Sequence, residues 1–484
     1  MRSRGPVATI PSLLIAATLL VGVSSPVIGL TDEEIYGALR FPFAAPGGRM
    51  TGMGGAGLAL IDDAGACRFN PARLSAISRP TAQLETRFQQ FEGGSGSSGL
   101  VLYDADIHPF AGTSVDADSA YDSDLSLSYL SVAWPFPLRR PLVIAASRSQ
   151  TLNTVIEIGS VTRTTPPTAP VTPGGRDEVR RISRGRLDID LHQWDLSAGW
   201  RLTPTFSVGG TVVVGMLDLS SETTGLLADP LQFTGPGMFD PRFSGSEAEP
   251  LLSTRSEGTD TAFGYQFGTW WRPRPGLALA TIFRKGARFE VEAETRDFFA
   301  GTKDSFSNVL KVPDTAGVGV VWNPFTRHPS ALLQSLTIAL DIDRVKYSDL
   351  LEGMRSQEGI LTNRQFTRKA TYDIDDATEA HLGVEVRRSF PAWTLALRGG
   401  LYTDHDERLR PAEITDDPNS ALAGQARALE EGGFMIPEGD TDIHVTVGAG
   451  ARFYALSFDL AVDMSDPVTQ VIASATYHFG REGP

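Results

Sequence analysis

Leu456-Ser457-Phe458-Asp459-Leu460-Ala461-Val462-Asp463 places an apolar side chain at every second position and a small or polar one between. Successive side chains of an extended strand point to opposite faces, so this stretch reads as a strand with one greasy and one polar face. The same pattern recurs along the chain. Leu336, Ile338, Leu340 and Ile342 interleave with Thr337, Ala339, Asp341 and Asp343. Ile443, Val445 and Val447 interleave with His444, Thr446 and Gly448, and Phe263, Tyr265 and Phe267 with Gly264, Gln266 and Gly268. A soluble sandwich would alternate in the same way, so alternation does not decide the fold.

Connection lengths decide it. Strand candidates begin near Thr81, Leu125, Leu142, Leu187, Phe206, Thr259, Leu277, Ala316, Leu336, Glu379, Trp393, His444, Leu456 and Val471. That is about fourteen, an even number, as in single-chain bacterial barrels. Short turns at Phe136–Arg140, Thr203–Thr205, Pro273–Gly276, Ser389–Ala392 and Ala455, with a somewhat longer one at Asn323–Gln334, alternate with long polar connections. The long ones are Glu92–Asp124, Gly159–Arg184, Ser221–Gly258, Arg296–Lys311, Leu350–Ala370 and His405–Asp440. Short periplasmic turns and long external loops segregate in this way in outer-membrane barrels, and a sandwich has no reason to do so. Only Met464–Gln470 is short where an external loop is due.

Trp134, Trp200, Trp270, Trp271, Trp322 and Trp393 stand beside short turns, which predicts an aromatic girdle at the periplasmic interface; Trp194 stands apart. The segment Val471–Phe479 alternates and ends on an aromatic ring, resembling the terminal signal by which barrels are recognised for assembly; the tail Gly480–Pro484 departs from it. One strand changes phase. Leu187, Ile189 and Leu191 share a face, but Trp194, Leu196 and Ala198 continue on the other parity. A bulge near His192-Gln193 is expected to restore the outward face, the alternative being an opening in the wall.

The 484 residues begin with Met1-Arg2-Ser3-Arg4, an apolar run from Ile10 to Val23, and small residues up to Val27-Ile28-Gly29. Residues 1–29 therefore read as a secretory signal peptide. No later stretch is long enough for a membrane helix. Mean hydropathy is −0.10, near neutral as expected where only alternate residues face lipid. The formal charge is −15, and removing Arg2 and Arg4 with the leader makes it −17, which argues against a nucleic-acid partner. A single cysteine, Cys67, excludes an intrachain disulfide framework.

No enzyme motif appears. Gly93-Gly94-Ser95-Gly96-Ser97-Ser98-Gly99 misses the G-x-S-x-G spacing, and the seven histidines form no H-E-x-x-H. Asp404-His405-Asp406-Glu407 opens an external loop and reads as a solvated charge cluster. The chain is thus expected to be no enzyme and to need no metal or cofactor.

Residues 30–80, between the leader and the first strand, do not alternate. They contain Gly52-Met53-Gly54-Gly55-Ala56-Gly57, then Asp62-Asp63, then Asn70-Pro71-Ala72-Arg73-Leu74. Gly52-x-Gly54-x-x-Gly57 matches a dinucleotide fingerprint only formally, because no strand–turn–helix context surrounds it. The run resembles instead the FadL/TodX long-chain fatty acid transporter family, with its PorV-like relatives. That family carries a Gly-Met-Gly-Gly-Ala-like segment, an Asp-Asp, and an Asn-Pro-Ala-Gly-Leu box; here Arg73 stands for the glycine. Lys311-Val312-Pro313-Asp314-Thr315 and Leu397-Arg398-Gly399-Gly400 match further on.

The resemblance implies an all-β transmembrane antiparallel barrel of about fourteen strands, residues 81–484, with residues 30–80 folded inside the lumen as a hatch. Gly54, Gly55, Asp62, Asp63, Asn70, Pro71 and Ala72 carry over as hatch or ligand-gating residues. It further implies passive passage of a hydrophobic small molecule, fatty-acid-like or aromatic hydrocarbon, through the lipopolysaccharide-covered outer membrane of a Gram-negative bacterium. The implied alternative is a PorV-like scaffold that binds secreted proteins. A general aqueous porin is a further rival.

Overall fold

The computed structural model describes residues 46–91, 96–101, 113–121, 124–165, 179–227, 250–297, 301–351, 369–405, 410–415, 441–465 and 468–480. The expected leader, residues 30–45 and much of the expected external loops lie outside these.

All of the strand candidates are present. The wall runs β1 (Thr81–Phe91), β4 (Asp124–Phe136), β5 (Leu142–Thr165), β6 (Val179–Thr203), β7 (Phe206–Leu227), β8 (Pro250–Arg274) and β9 (Leu277–Lys285). It continues through β12 (Asp314–Trp322), β13 (Thr337–Lys346), β15 (Ala377–Ser389), β16 (Trp393–Asp404), β18 (Asp442–Phe453), β19 (Leu456–Met464) and β20 (Val468–His478). Every neighbouring pair is antiparallel. β20 returns to β1, with Thr81 opposite His478 and Phe91 opposite Val468, which closes a fourteen-stranded barrel. Closure of the ring leaves the wall no terminal edge strand, the condition under which strands can cross hydrocarbon.

The alternation read from the sequence is the inside–outside alternation of this wall. Phe263, Tyr265 and Phe267 are exposed, while Ala262, Gln266 and Gly268 between them face inward and are covered. Leu340 and Ile342 likewise point out and Asp341 in. Trp134, Trp200, Trp271 and Trp322 stand exposed at the turn side, as expected of a girdle. Trp270 does not belong to it. Its indole turns inward and donates to the Ala59 carbonyl at 3.1 Å.

Four elements exceed the sequence reading. β5 to β8 extend far into the segments expected as loops, and β2 (Gly96–Val101) pairs with β3 (Thr113–Tyr121), which lies along β5. The expected loop Arg296–Lys311 is a hairpin, β10 (Arg288–Asp297) with β11 (Thr302–Lys311). A separate two-stranded sheet joins β14 (Lys369–Asp373) to β17 (Arg410–Thr415). Polar strands beyond the membrane still satisfy their backbone groups by pairing, but they lack the apolar period that marks a strand in sequence.

The phase change in β6 also needs correction. β6 pairs with β7 without interruption across His192-Gln193, from Arg181–Leu227 to Arg201–Ser207; the one-residue shift on its other flank lies in β5, between Gln150 and Leu152. The strand keeps its parity, and the apolar side chains change faces. Nearer the turns Trp194 and Leu196 point out while Gln193 and Asp195 point in. Further out Leu187, Ile189 and Leu191 are fully buried inward, and outward His192 contacts Asp190 at 2.8 Å and Arg148 at 2.9 Å. Where the wall leaves lipid its outer face meets water, and the apolar residues turn into the lumen. No wall opening occurs at this point of β6.

Candidate functional site

Residues 46–80 lie against the inner faces of the wall strands. Short turns build them: α1 (Gly48–Thr51), α2 (Ala66–Phe69) and a 3-10 helix over Pro71–Ala76. Met50, Met53, Leu58, Ile61, Cys67 and Leu74 are buried against small inward residues of the wall such as Ala133, Ala145, Ala280 and Ala339.

The seven residues carried over from the family fall into separate patches. Gly54 and Gly55 meet β15 and β16. Both have positive φ, 64° and 76°, a conformation glycine adopts without Cβ strain. The Gly54 amide donates to Thr446 Oγ1 at 3.0 Å, and its carbonyl lies 2.9 Å from His381 Nδ1. A Cβ added at Gly400 of the wall would overlap the Gly54 backbone, which explains the glycine at that position.

Asn70, Pro71 and Ala72 sit near the opposite wall, on β6 to β8. Asn70 is fully buried and caps the 3-10 helix, its Oδ1 accepting from the Ala72 amide at 3.1 Å. Its Nδ2 donates to the Leu58 carbonyl at 2.8 Å. Proline at the first helical position loses no hydrogen bond and presets φ. Asp62 is half exposed and meets Arg49 at 2.6 Å; Asp63 accepts from the Gly65 amide at 2.9 Å. These residues do not converge on one pocket. Each fastens the inner segment.

Other fastenings were not singled out from sequence. Arg49 reaches buried Glu385 of β15 at 3.1 Å, and Glu385 also accepts from Arg398 of β16 at 2.7 Å, which extends to Asp459 of β19 at 2.6 Å. Asp341 of β13 accepts from the amides of Gly57 and Leu58 at 2.6 and 2.8 Å. Arg73, where the family has glycine, donates to the Ile61 carbonyl at 2.7 Å and lies 4.6 Å over the Trp270 ring. Bonds of this kind carry no periodic signal, so only folding reveals them.

The wall itself parts between β8 and the β9–β10 strand. Tyr265 pairs with Lys285, and pairing resumes only at Ser256 with Ala293. Between these points Glu257–Gly264 keep their partners on β7 but have no strand partner on the other edge. The parted strand bends inward. A Cβ at Gly264 would stand 2.6 Å from the Lys285 carbonyl, and one at Gly215 of β7 would stand 2.6 Å from Phe289 Cζ. Phe289 is fully buried beside the inward Leu217 and Leu219, while Met216 and Phe263 face out along the same strands.

The bend has a local cause. Gly286 faces the Val312 carbonyl so closely that a Cβ would overlap it, and Pro313 has no amide for the ladder. The Val312 amide donates to the Ala287 carbonyl at 2.9 Å. Asp314 accepts from the Gly286 amide at 3.0 Å and from Lys285 at 2.6 Å; Asp349 accepts from Lys311 at 2.8 Å and Lys346 at 2.7 Å. The sequence motif Lys311–Thr315 is therefore one half of this hinge. Across the gap the Asp260 carboxylate reaches over, accepting from the Glu290 amide at 2.8 Å.

No protein-family model matches this sequence, and no curated protein matches it. Solved structures do. The fold is similar to that of the CymD monoaromatic hydrocarbon channel, at 15% identity over 92% of this chain and 100% of that one, with a TM-score of 0.50. It is similar to a Pseudomonas aeruginosa FadL homologue, at 15% identity over 88% of this chain and 96% of that one, TM-score 0.50. It is also similar to the Pseudomonas putida toluene transporter TodX, at 14% identity over 90% and 98%, TM-score 0.50. At such identities the likeness speaks for the fold, and the fold is that of the FadL/TodX barrels.

Proposed function

We propose that this chain, built on the FadL/TodX barrel fold, carries hydrophobic small molecules passively across the outer membrane of a Gram-negative bacterium. Residues 1–29 direct export, and residues 46–80 act as a hatch across the lumen. Lipid and lipopolysaccharide surround the outward apolar belt. Apolar solutes are excluded by the lipopolysaccharide layer and disfavoured in a watery pore, so a useful route captures them in an apolar interior and releases them sideways.

The observation that carries this reading is the parted wall between β8 and β9–β10. It lies between inward apolar residues, Leu217, Leu219 and Phe289, and outward apolar residues, Met216 and Phe263. The three similar barrels named above are a hydrocarbon channel, a FadL homologue and a toluene transporter, which supports the same direction.

The test is uptake of radiolabelled toluene and of a long-chain fatty acid into liposomes holding the purified barrel. Faster entry than into empty liposomes is expected for at least one of them. Entry equal to the empty control for both would remove the transport reading. Co-purification of a secreted cargo protein in that case would install the scaffold reading.

A further inference from the structure

The rim formed by the short turns carries charge of one sign. Residues 136–141, 201–206, 271–277, 322–336, 386–393 and 452–456 hold nine arginines and neither aspartate nor glutamate, in a chain whose formal charge is −15. Four of these arginines turn to the inner segment or to the chain beside them. Arg201 donates to the Ser75 carbonyl, and Arg272 lies 5.8 Å over Trp270. Arg387 lies 3.4 Å from Glu385, and Arg452 donates to the Tyr454 carbonyl at 3.4 Å. The other five, Arg139, Arg140, Arg274, Arg327 and Arg388, are exposed. Among the described residues no carboxylate pairs with any of them.

Their placement follows the membrane boundary. They occupy the β4–β5, β8–β9, β12–β13 and β15–β16 turns, which spread from the second to the eleventh strand of the wall. A docked protein would cover one sector of that rim, whereas a lipid annulus meets all of it. Each turn also sets an apolar side chain beside its guanidinium. Leu138 adjoins Arg139, Trp271 precedes Arg274, and Phe325 precedes Arg327, all three exposed; Arg388 lies 5.3 Å over the Phe390 ring. Rings and leucines settle at headgroup depth, and a charged tip on a long apolar stem reaches the phosphates above them. Leu332 and Leu333, exposed in the β12–β13 turn, continue the apolar fringe.

Headgroup chemistry then selects among lipids. A guanidinium fork matches two oxygens of one phosphate. A phosphatidylethanolamine headgroup adds an ammonium, for which these turns hold no carboxylate. An anionic headgroup brings only the group that the arginines bind. We propose that this rim binds anionic phospholipid of the periplasmic leaflet, with a phosphatidylglycerol-like headgroup, through Arg139, Arg140, Arg274, Arg327 and Arg388. This rests on the membrane placement of the barrel and is independent of what the barrel carries.

The exposed girdle tryptophans, Trp134, Trp200, Trp271 and Trp322, report on lipid at this rim. The full-length barrel is reconstituted in phosphatidylcholine vesicles holding increasing fractions of brominated phosphatidylglycerol or brominated phosphatidylethanolamine, and tryptophan quenching is read. Half-maximal quenching is expected at about fivefold less phosphatidylglycerol than phosphatidylethanolamine at low salt, and about 1 M salt is expected to shrink that ratio. Arg139→Gln, Arg140→Gln, Arg274→Gln, Arg327→Gln and Arg388→Gln combined are expected to abolish the preference, with heat-modifiable gel mobility reporting assembly. Should that variant not assemble, Arg139→Gln with Arg140→Gln alone is expected to lower it. Equal quenching by the two lipids, or a preference unchanged in an assembled variant, overturns the proposal and leaves transport standing. A preference lost to inorganic phosphate but not to chloride of equal ionic strength assigns the rim to a free anion and overturns it too. Quenching by neither lipid removes the membrane placement itself, and both readings with it.

Discussion

Gly286 and Val312 touch across the β9–β10 and β11–β12 strands so closely that glycine is the residue the contact admits. The Val312 amide also holds the Ala287 carbonyl at 2.9 Å, so the two strands bend together and leave β8 unpaired on one edge.

Gly286→Val should therefore create a clash with Val312 that only movement of the hinge relieves. The local cost is about 1–3 kcal/mol, as for other overpacked sites. The expected outcome is a barrel that still assembles, by heat-modifiable mobility, with at least a severalfold loss of hydrophobic uptake. Unchanged uptake would show that the bend plays no part in the route.

Asp260→Ala removes the side chain that reaches across the gap to the Glu290 amide. A hydrogen bond to a charged acceptor contributes about 1.5–3 kcal/mol. Hydrogen exchange at Glu290 should accelerate accordingly, while exchange in β6 and β7 stays as it was. Equal acceleration in all of these would mean general loosening of the wall.

Gly400→Val places a side chain where the Gly54 backbone runs. The inner segment cannot share that space. Planar-bilayer recordings should show a higher ion conductance than the parent barrel, because the displaced segment no longer obstructs the lumen. A conductance equal to the parent's would contradict the hatch role.

Arg73→Gly restores the family's residue but deletes the bond to Ile61 and the contact with Trp270. Leaving a buried carbonyl unpaired costs about 1–3 kcal/mol. Limited proteolysis should then cut within residues 57–69 well before it cuts the strands. Protection equal to the parent's would show that Arg73 fastens nothing.

Glu385→Gln breaks the bridge from Arg49 to Arg398 inside the lumen. Removing one partner of a buried ion pair costs about 3–5 kcal/mol. The signature is faster exchange at residues 47–55 with an assembled barrel, followed by mass spectrometry.

The period of two, the alternation of short and long connections, and the even strand number are properties of neighbouring residues, so the barrel was legible from Leu456–Asp463 and its repeats. The box at Gly52–Leu74 was legible through its resemblance to the FadL/TodX segment, and its glycines and Asn-Pro suit the tight turns found there. Three features were not. β11 lies where a loop was read, since a polar strand outside lipid loses the apolar alternation that announces it. The faces of β6 exchange at His192-Gln193 without a bulge, because the medium outside the wall changes there while the backbone continues. The parted wall at Gly286 arises between residues tens of positions apart. Local sequence sets which way each side chain points; only closure of the wall decides what it meets there.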